Sequence, residues 1–350
     1  MKKALQNLAI IVALCGISGV GLQKSQAKTL EFKPLTLEVQ PKDHYVIRGY
    51  KGSVRVQGVS KAKSITVSMR QTQPVTKLPD LREINEDQWL FSVQRNGSAI
   101  EILVRSPQIK SSWGKVLHSK IYPQYDLVVQ GPPRMLRMAL MDGTLQLEDW
   151  SAPAELYLHN GRIRVNNQSG DLRVGIQEGD ADLKKIKGSI EIDSFNAHVS
   201  LKNTEGPSVI NNFSGKTDMN SHDGSLEIEG YQGLWVINGV KGRAQFDVEK
   251  STVKFNGLEG ELRGKSGQGA VIATLKGESE VRVTTKEGNV SLNLANSSAN
   301  INLATNEGQI YVPSHITVQR GSTRSARGRL KGDTPGKIYV RSEAGSIRVR

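Results

Sequence analysis

Apolar and polar residues alternate in short bursts along most of this 350-residue chain, and the bursts recur at a fixed interval. Between Gly143 and Gly269 every ninth residue is small. Of these fifteen positions twelve are Gly, and the others are Ala152, Ala197 and Ser251. Gly makes up only 35 of the 350 residues, so the phase belongs to the fold rather than to composition. Two and four residues after most of the small positions stand apolar side chains, as in Ile163/Val165, Leu172/Val174 and Ile190/Ile192, with residues such as Arg164 and Arg173 between them. Apolar residues two apart, with polar ones between, predict a short strand with one buried face. Five after the small residue, Asn and Asp recur at Asn166, Asp193, Asn211, Asn220, Asn238 and Asn256. These residue types tolerate left-handed backbone, which predicts the corner of each unit at that position. No helical period appears.

Strands this short and this evenly spaced predict stacked coils, each strand pairing with its equivalent one coil away at about 4.8 Å. The expected fold class is all-β: a single-stranded β-solenoid, or β-helix, of nine- to ten-residue Gly-led strand units. Phe195, Phe213 and Tyr231 are eighteen apart and favour two units per coil, whereas Ala154, Ala181 and Ser208 are twenty-seven apart and favour three. Both remain open at this point. After Gly277 the register slips and resumes in steps of ten at Gly288, Ser298 and Gly308, with a last copy at Gly345-Ser346-Ile347-Arg348-Val349. The expected column is residues 126–350. Residues 28–125 alternate less regularly, as in Val54/Val56 and Ile100/Ile102/Val104, and are expected to form irregular β coils or a cap over the open end.

The first residues read as a targeting segment. Met1-Lys2-Lys3 precedes an apolar stretch from Leu8 to Leu22, and Ser25-Gln26-Ala27 supplies small residues where a signal peptidase cuts. Residues 1–27 are therefore expected to be a signal peptide, with an exported product in the periplasm or at the cell surface. The single Cys is Cys15, preceded by the bulky Leu14, which argues against lipid attachment and leaves a mature chain without thiols. Disulfide, thiolate-metal and thiol-nucleophile chemistry are thereby excluded. No later stretch is long and apolar enough to span a bilayer as a helix.

Units of the form Gly–x–apolar–x–apolar behind a signal peptide, with Asp126-Leu127-Val128-Val129 leading to Asp142-Gly143-Thr144-Leu145 and the Ser342–Val349 ending, resemble the bacterial putative-adhesin β-solenoid family, the toastrack domain. The resemblance implies an exported, non-enzymatic adhesin-type binding or structural module of the cell envelope, without cofactors or catalytic residues.

Polysaccharide-cleaving β-helices are the enzyme alternative, and Asp171, Asp180 and Asp182 are the carboxylates to weigh. Their places between apolar positions or beside a corner predict a solvated outer face. Gly170-Asp171 and Gly179-Asp180 approach a calcium-binding β-roll corner but lack its regular Asp. Ser221-His222-Asp223 holds the residue types of a triad, but adjacent residues at a corner cannot form its hydrogen-bond chain. Charge is the remaining signal: 47 Lys+Arg against 34 Asp+Glu, a net +13. Two acid-free stretches concentrate it, one holding Lys110, Trp113, Lys115 and Lys120, the other Arg320, Arg324, Arg327, Arg329 and Lys331. Both are expected to leave the column as loops and to bind anionic ligands: envelope polysaccharide, lipid head groups or another envelope protein. Export and the shortage of aromatic stacking platforms argue against nucleic acid. Cleavage is expected after Ala27, and intact-mass analysis of the exported protein that found Cys15 retained would overturn both the site and the assignment to export.

Overall fold

The computed structural model describes residues 30–72, 89–105, 109–110, 120–121, 124–294, 298–330 and 336–350. It is a β-solenoid. The Leu136–Trp150, Ala154–Ser169, Leu172–Lys187, Ile190–Glu205 and Ser208–Asp223 segments stack in parallel, Ala154 on Leu172, Leu172 on Ile190 and Ile190 on Ser208. Each step is eighteen residues, so two nine-residue units make one coil, and the spacing of the three aromatic residues was the informative one.

Residues two and four after each small position enter a narrow lumen. Ile163, Val165, Val174 and Ile192 are all essentially inaccessible. Burial of each such side chain contributes roughly 1.5–3 kcal/mol, and the lumen is continuous from Tyr45 to Val349. The small positions have a double cause. Gly161 has φ +133°, and a Cβ there would stand 2.0 Å from the carbonyl oxygen of Gly143, one coil back. Neither the torsion nor the space admits a side chain.

The corner chemistry differs in one respect from the sequence expectation. The amides five after the small residue stay extended and form ladders, with Asn211 donating to Asp193 at 2.9 Å and Asn256 to Asn238 at 2.7 Å. The left-handed residues come one position later and only once per coil, at Asp149, Asn167, Lys185, Asn203 and Ser221. At that one corner the ladder amide is followed directly by the residue that makes the turn, as Asn220 is by Ser221.

Chain order and stacking order part at both ends. His44–Gly58 lies on Leu136–Trp150, and its other side carries a coil made of Ala99–Arg105 and Tyr125–Gly131. Antiparallel strands then close that end: Ser64–Gln71 on Tyr125–Gly131, and Leu35–Glu38 on Ser64–Gln71. Phe32, Trp89 and Tyr125 meet edge to face over the opening, with ring centroids about 6 Å apart. At the far end Gly336–Ser342 inserts between Glu280–Thr285 and Ala299–Thr305.

The stretch after Gln319, expected as a solvent loop, is instead partly a strand. Arg324–Leu330 pairs antiparallel with Ala299–Thr305 and finishes the column. The reason is legible in its alternation: Ala326 and Leu330 are buried while Arg327 and Arg329 face out, and Gly328 gives room to Ile316. An antiparallel last strand offers a poor template for a further parallel coil.

Gly161→Ala is expected to cost at least about 3 kcal/mol, since strain of about 1–3 kcal/mol for the torsion adds to a backbone clash. Gly97→Ala, at φ +61° with nothing within 4 Å of the added carbon, should cost only about 1–2 kcal/mol. Urea denaturation of both variants checks the difference.

Candidate functional site: a basic wall at one end of the column

Along the middle of the column, three outward arginines face carboxylates one coil away. Arg137 reaches Glu155 at 2.8 Å, Arg162 reaches Asp180 at 2.8 Å, and Arg173 reaches Glu191 at 2.9 Å. The hydrogen bond from Arg137 holds the Glu155 carboxyl below the usual range. Burial works to raise Glu261, but hydrogen bonds from Arg263 and Arg243 outweigh it and hold that carboxyl low as well. The acids weighed for catalysis are spent in this way. Asp180 holds Arg162, Asp182 holds Lys184 at 2.7 Å, and Asp171 accepts from the Ser189 hydroxyl at 2.6 Å. Among the described residues, no group of three His, Cys, Asp or Glu side chains converges as metal ligands would.

The far end is different. Four strands lie side by side there: Glu280–Thr285, Gly336–Ser342, Ala299–Thr305 and Arg324–Leu330. Register sets Arg282, Tyr339, Asn302 and Arg327 in one outward row. A second row holds Glu280, Lys337, Asn300 and Arg329, and Arg341 stands between Thr284 and Ala304 in a third. Five cations and one acid thus share one sheet face. The guanidinium carbons of Arg282 and Arg341 lie 5.6 and 5.2 Å from the Tyr339 ring centroid. The quadrupole of one ring partly offsets the repulsion between two cations. Among the described residues none of Arg282, Arg327, Lys337 and Arg341 has a carboxylate within ion-pair distance.

The predicted residues divide. Arg327 and Arg329 lie on this wall. Arg324 does not, because its guanidinium donates to the carbonyl oxygens of Glu307 and Gly308, both at 2.8 Å, and pins the last strand to a corner. Arg320 is exposed in the turn before that strand. Lys110 and Lys120 are partners in a two-residue antiparallel hairpin inserted between the strands of the first coil. Trp113, Lys115 and Lys331 lie outside the described residues. The strands from which the two acid-free stretches emerge lie at opposite ends of the column. Sequence reading missed Arg282, Lys337 and Arg341 because stacking out of chain order brings them together. Only the alternations Val281-Arg282-Val283 and Ile338-Tyr339-Val340-Arg341 hinted at outward cations.

Ser221-His222-Asp223 turns a corner, as expected, with Ser221 left-handed and His222 pointing into the lumen. His222 Nε2 donates to the carbonyl oxygen of Ser225 at 3.2 Å, and Nδ1 accepts from the Thr204 hydroxyl at 2.9 Å. Burial pushes its pKa below the ordinary imidazole value. The groove beside it carries Lys185, Lys187 and Lys241 but also Glu205 and Asp223, and Lys187 pairs with Glu205 at 3.2 Å. It is no cationic site.

The coils and ends now in view match a family model. Residues 51–350 fit the Toastrack DUF4097 model. The chain belongs to that family. No curated protein matches it. Among solved structures, this toastrack chain is similar to a putative cell adhesion protein from Clostridium sporogenes, at 10% identity over 91% of this chain and 98% of that one, with a TM-score of 0.22. A putative lipid binding protein from Parabacteroides distasonis matches at 13% identity over 74% and 96% of the two chains, TM-score 0.29. A putative adhesin from Parabacteroides merdae matches at 9% identity over 74% and 95%, TM-score 0.27. No helix among the described residues of the toastrack chain is long and apolar enough to cross a membrane.

The neutral, buried His222 carries a pH signature. The unfolded chain takes up this proton as pH falls through about 6.5, while the folded chain resists until the lower folded value. Its contribution to stability is therefore complete above about pH 6.5 and is lost progressively below it. The melting temperature should fall from pH 7.5 to pH 5.5, and His222→Gln should flatten that dependence. A variant with an unchanged pH profile would show that the imidazole is not held neutral.

Proposed function

We propose that this toastrack protein is an exported, non-enzymatic module of the bacterial envelope that holds anionic surfaces through the basic wall at the end of its column. One contrast carries the reading. Arg137, Arg162 and Arg173 in the middle of the column are neutralised by carboxylates one coil away, whereas Arg282, Arg341, Lys337 and Arg327 are gathered on one face without such partners. Folding gives no reason to gather like charges, since their repulsion destabilises the compact state. An anionic partner does. Tyr339 at the centre adds a flat, partly apolar contact between the guanidinium groups, as a head group or an acidic sugar requires.

Export rests on the predicted signal peptide, and an envelope location follows from it. A rigid column with a cationic wall at its end suits holding an extended anionic surface better than enclosing a small ligand.

Co-sedimentation with vesicles tests the wall. The protein should pellet with phosphatidylglycerol vesicles and not with phosphatidylcholine vesicles, and added salt should release it. At about 1 kcal/mol per cation near an anionic surface, the Arg282→Ser/Arg341→Ser double replacement should weaken binding roughly thirtyfold. Its melting temperature should stay that of the wild type. Binding indifferent to both salt and replacement would make the wall a solvated surface only.

A further inference from the structure

A second surface lies on the flank of the column, about five coil spacings from the basic wall, roughly 24 Å at about 4.8 Å each. It is marked by a break in the repeat. One corner of the lumen is lined, coil after coil, by Leu140, Leu158 and Ile176, and again later by Val248. In the three coils between, the same position holds Ser194, Asn212 and Gly230. In those same coils the next residue, outside, becomes aromatic: Phe195, Phe213 and Tyr231 are 52%, 48% and 41% exposed. Their rings stack with centroids 5.0 and 5.2 Å apart, and Lys250 covers the last one.

Both halves of this change cost stability. Small or polar residues replace lumen aliphatics, and three large rings are left in water. Stacking of the rings on one another would stabilise the column, but it does not require the loss of the aliphatics beneath them. The Asn212 side chain is buried, and its Oδ1 accepts no hydrogen bond among the described residues. The result is an open groove of about 530 Å³ in which each coil contributes one ring and one polar side chain. The polar row is Asp193, Asn211 and Glu229, one coil spacing apart. Trp235 fills the room left under Gly230, within 2.8 Å of where a Cβ would sit, and floors the groove at one end.

We propose that this groove binds a neutral polysaccharide lying along the column axis. The chemistry selects this class. Because the rings face one another, they present a continuous apolar edge, which suits the C–H flank of a sugar chain. Asp193, Asn211 and Glu229 run beside that edge and accept from sugar hydroxyls at a repeating interval. Two carboxylates disfavour an acidic glycan. An acyl chain would leave the Glu229 carboxylate desolvated and unpaired. A peptide added as an extra strand needs a free sheet edge, but the residues here are paired on both sides, Asp193 with Gly175 and with Asn211. This site does not depend on the basic wall.

Co-sedimentation of the purified protein with insoluble cellulose, chitin and β-1,3-glucan, at high salt to silence the cations, tests the proposal. The wild type is expected to pellet with at least one of them. Phe213→Ser and Asp193→Ala should each weaken that binding about tenfold or more, while Arg282→Ser/Arg341→Ser binds as the wild type does. Asp193→Ala removes an outward acceptor together with its ladder bond from Asn211 and its contact with Arg173, but nothing from the lumen, so it remains informative if Phe213→Ser lowers the melting temperature. Failure to bind all three glycans, or both groove variants binding like the wild type, would overturn the proposal. A wild-type dimer that Phe213→Ser converts to monomer in analytical ultracentrifugation would overturn it too, by giving the rings to a second copy of the chain.

Discussion

Every residue in the middle of this molecule meets the residue eighteen positions away, at one coil spacing, in register and in parallel. The rest of the structure follows from that constraint. Identical spacing forces like onto like, so a side chain is stable only if it can stack on its own kind or on a complement. Glycines stack because nothing larger fits over a carbonyl 2.0 Å from the would-be Cβ. Amides stack because each can donate to the one before it, as Asn238 does to Asn220 at 2.8 Å. Charges stack on like charges only at a cost, and Arg137, Arg162 and Arg173 each meet a carboxylate one coil on.

The same constraint makes departures informative. A regular coil could continue indefinitely, and its open end would recruit other strands. Here the chain reverses strand direction at both ends, and it inserts its own last segment between two earlier coils. The insertion breaks the eighteen-residue spacing that sets Arg137, Arg162 and Arg173 against carboxylates. Arg282 and Arg341 come to share the ring of Tyr339, and Lys337 and Arg329 flank Asn300. The basic wall is therefore a product of the way the column is terminated, at a place where chain order no longer dictates neighbours.

How much of this could be read from the sequence depended on that same order. The lumen was legible residue by residue, because Ile163, Val174 and Ile192 obey one local rule and are buried by it. The coil size was ambiguous because small residues at twenty-seven-residue spacing satisfy either count, whereas bulky exposed rings do not repeat by accident. Corner residues were placed one position early because Asn serves both as a ladder amide and as a left-handed turn residue, and composition does not separate the two uses. Of the candidate cations, Arg327 and Arg329 were placed on a loop because Arg-rich sequence masks a two-residue alternation that turns on residues as small as Ala326 and Gly328. Arg282 and Arg341 were out of reach, since nothing local tells the last segment which two coils it will enter.

A rigid column also fixes the relation between its surfaces. The ring-lined groove and the basic wall respond to different conditions: salt screens the wall, whereas the groove works through dispersion and hydrogen bonds that salt leaves nearly intact. They stand on one body with no hinge between them, because each intervening coil is paired to the next along both of its units. When one of them engages a partner that also presents the other's ligand, the second contact is made at an effective concentration set by that fixed separation. Weak contacts then add without the ordering cost that a flexible linker would impose. The stiffness demanded by in-register stacking, which leaves little room for a catalytic closure, is the property a bridging module needs.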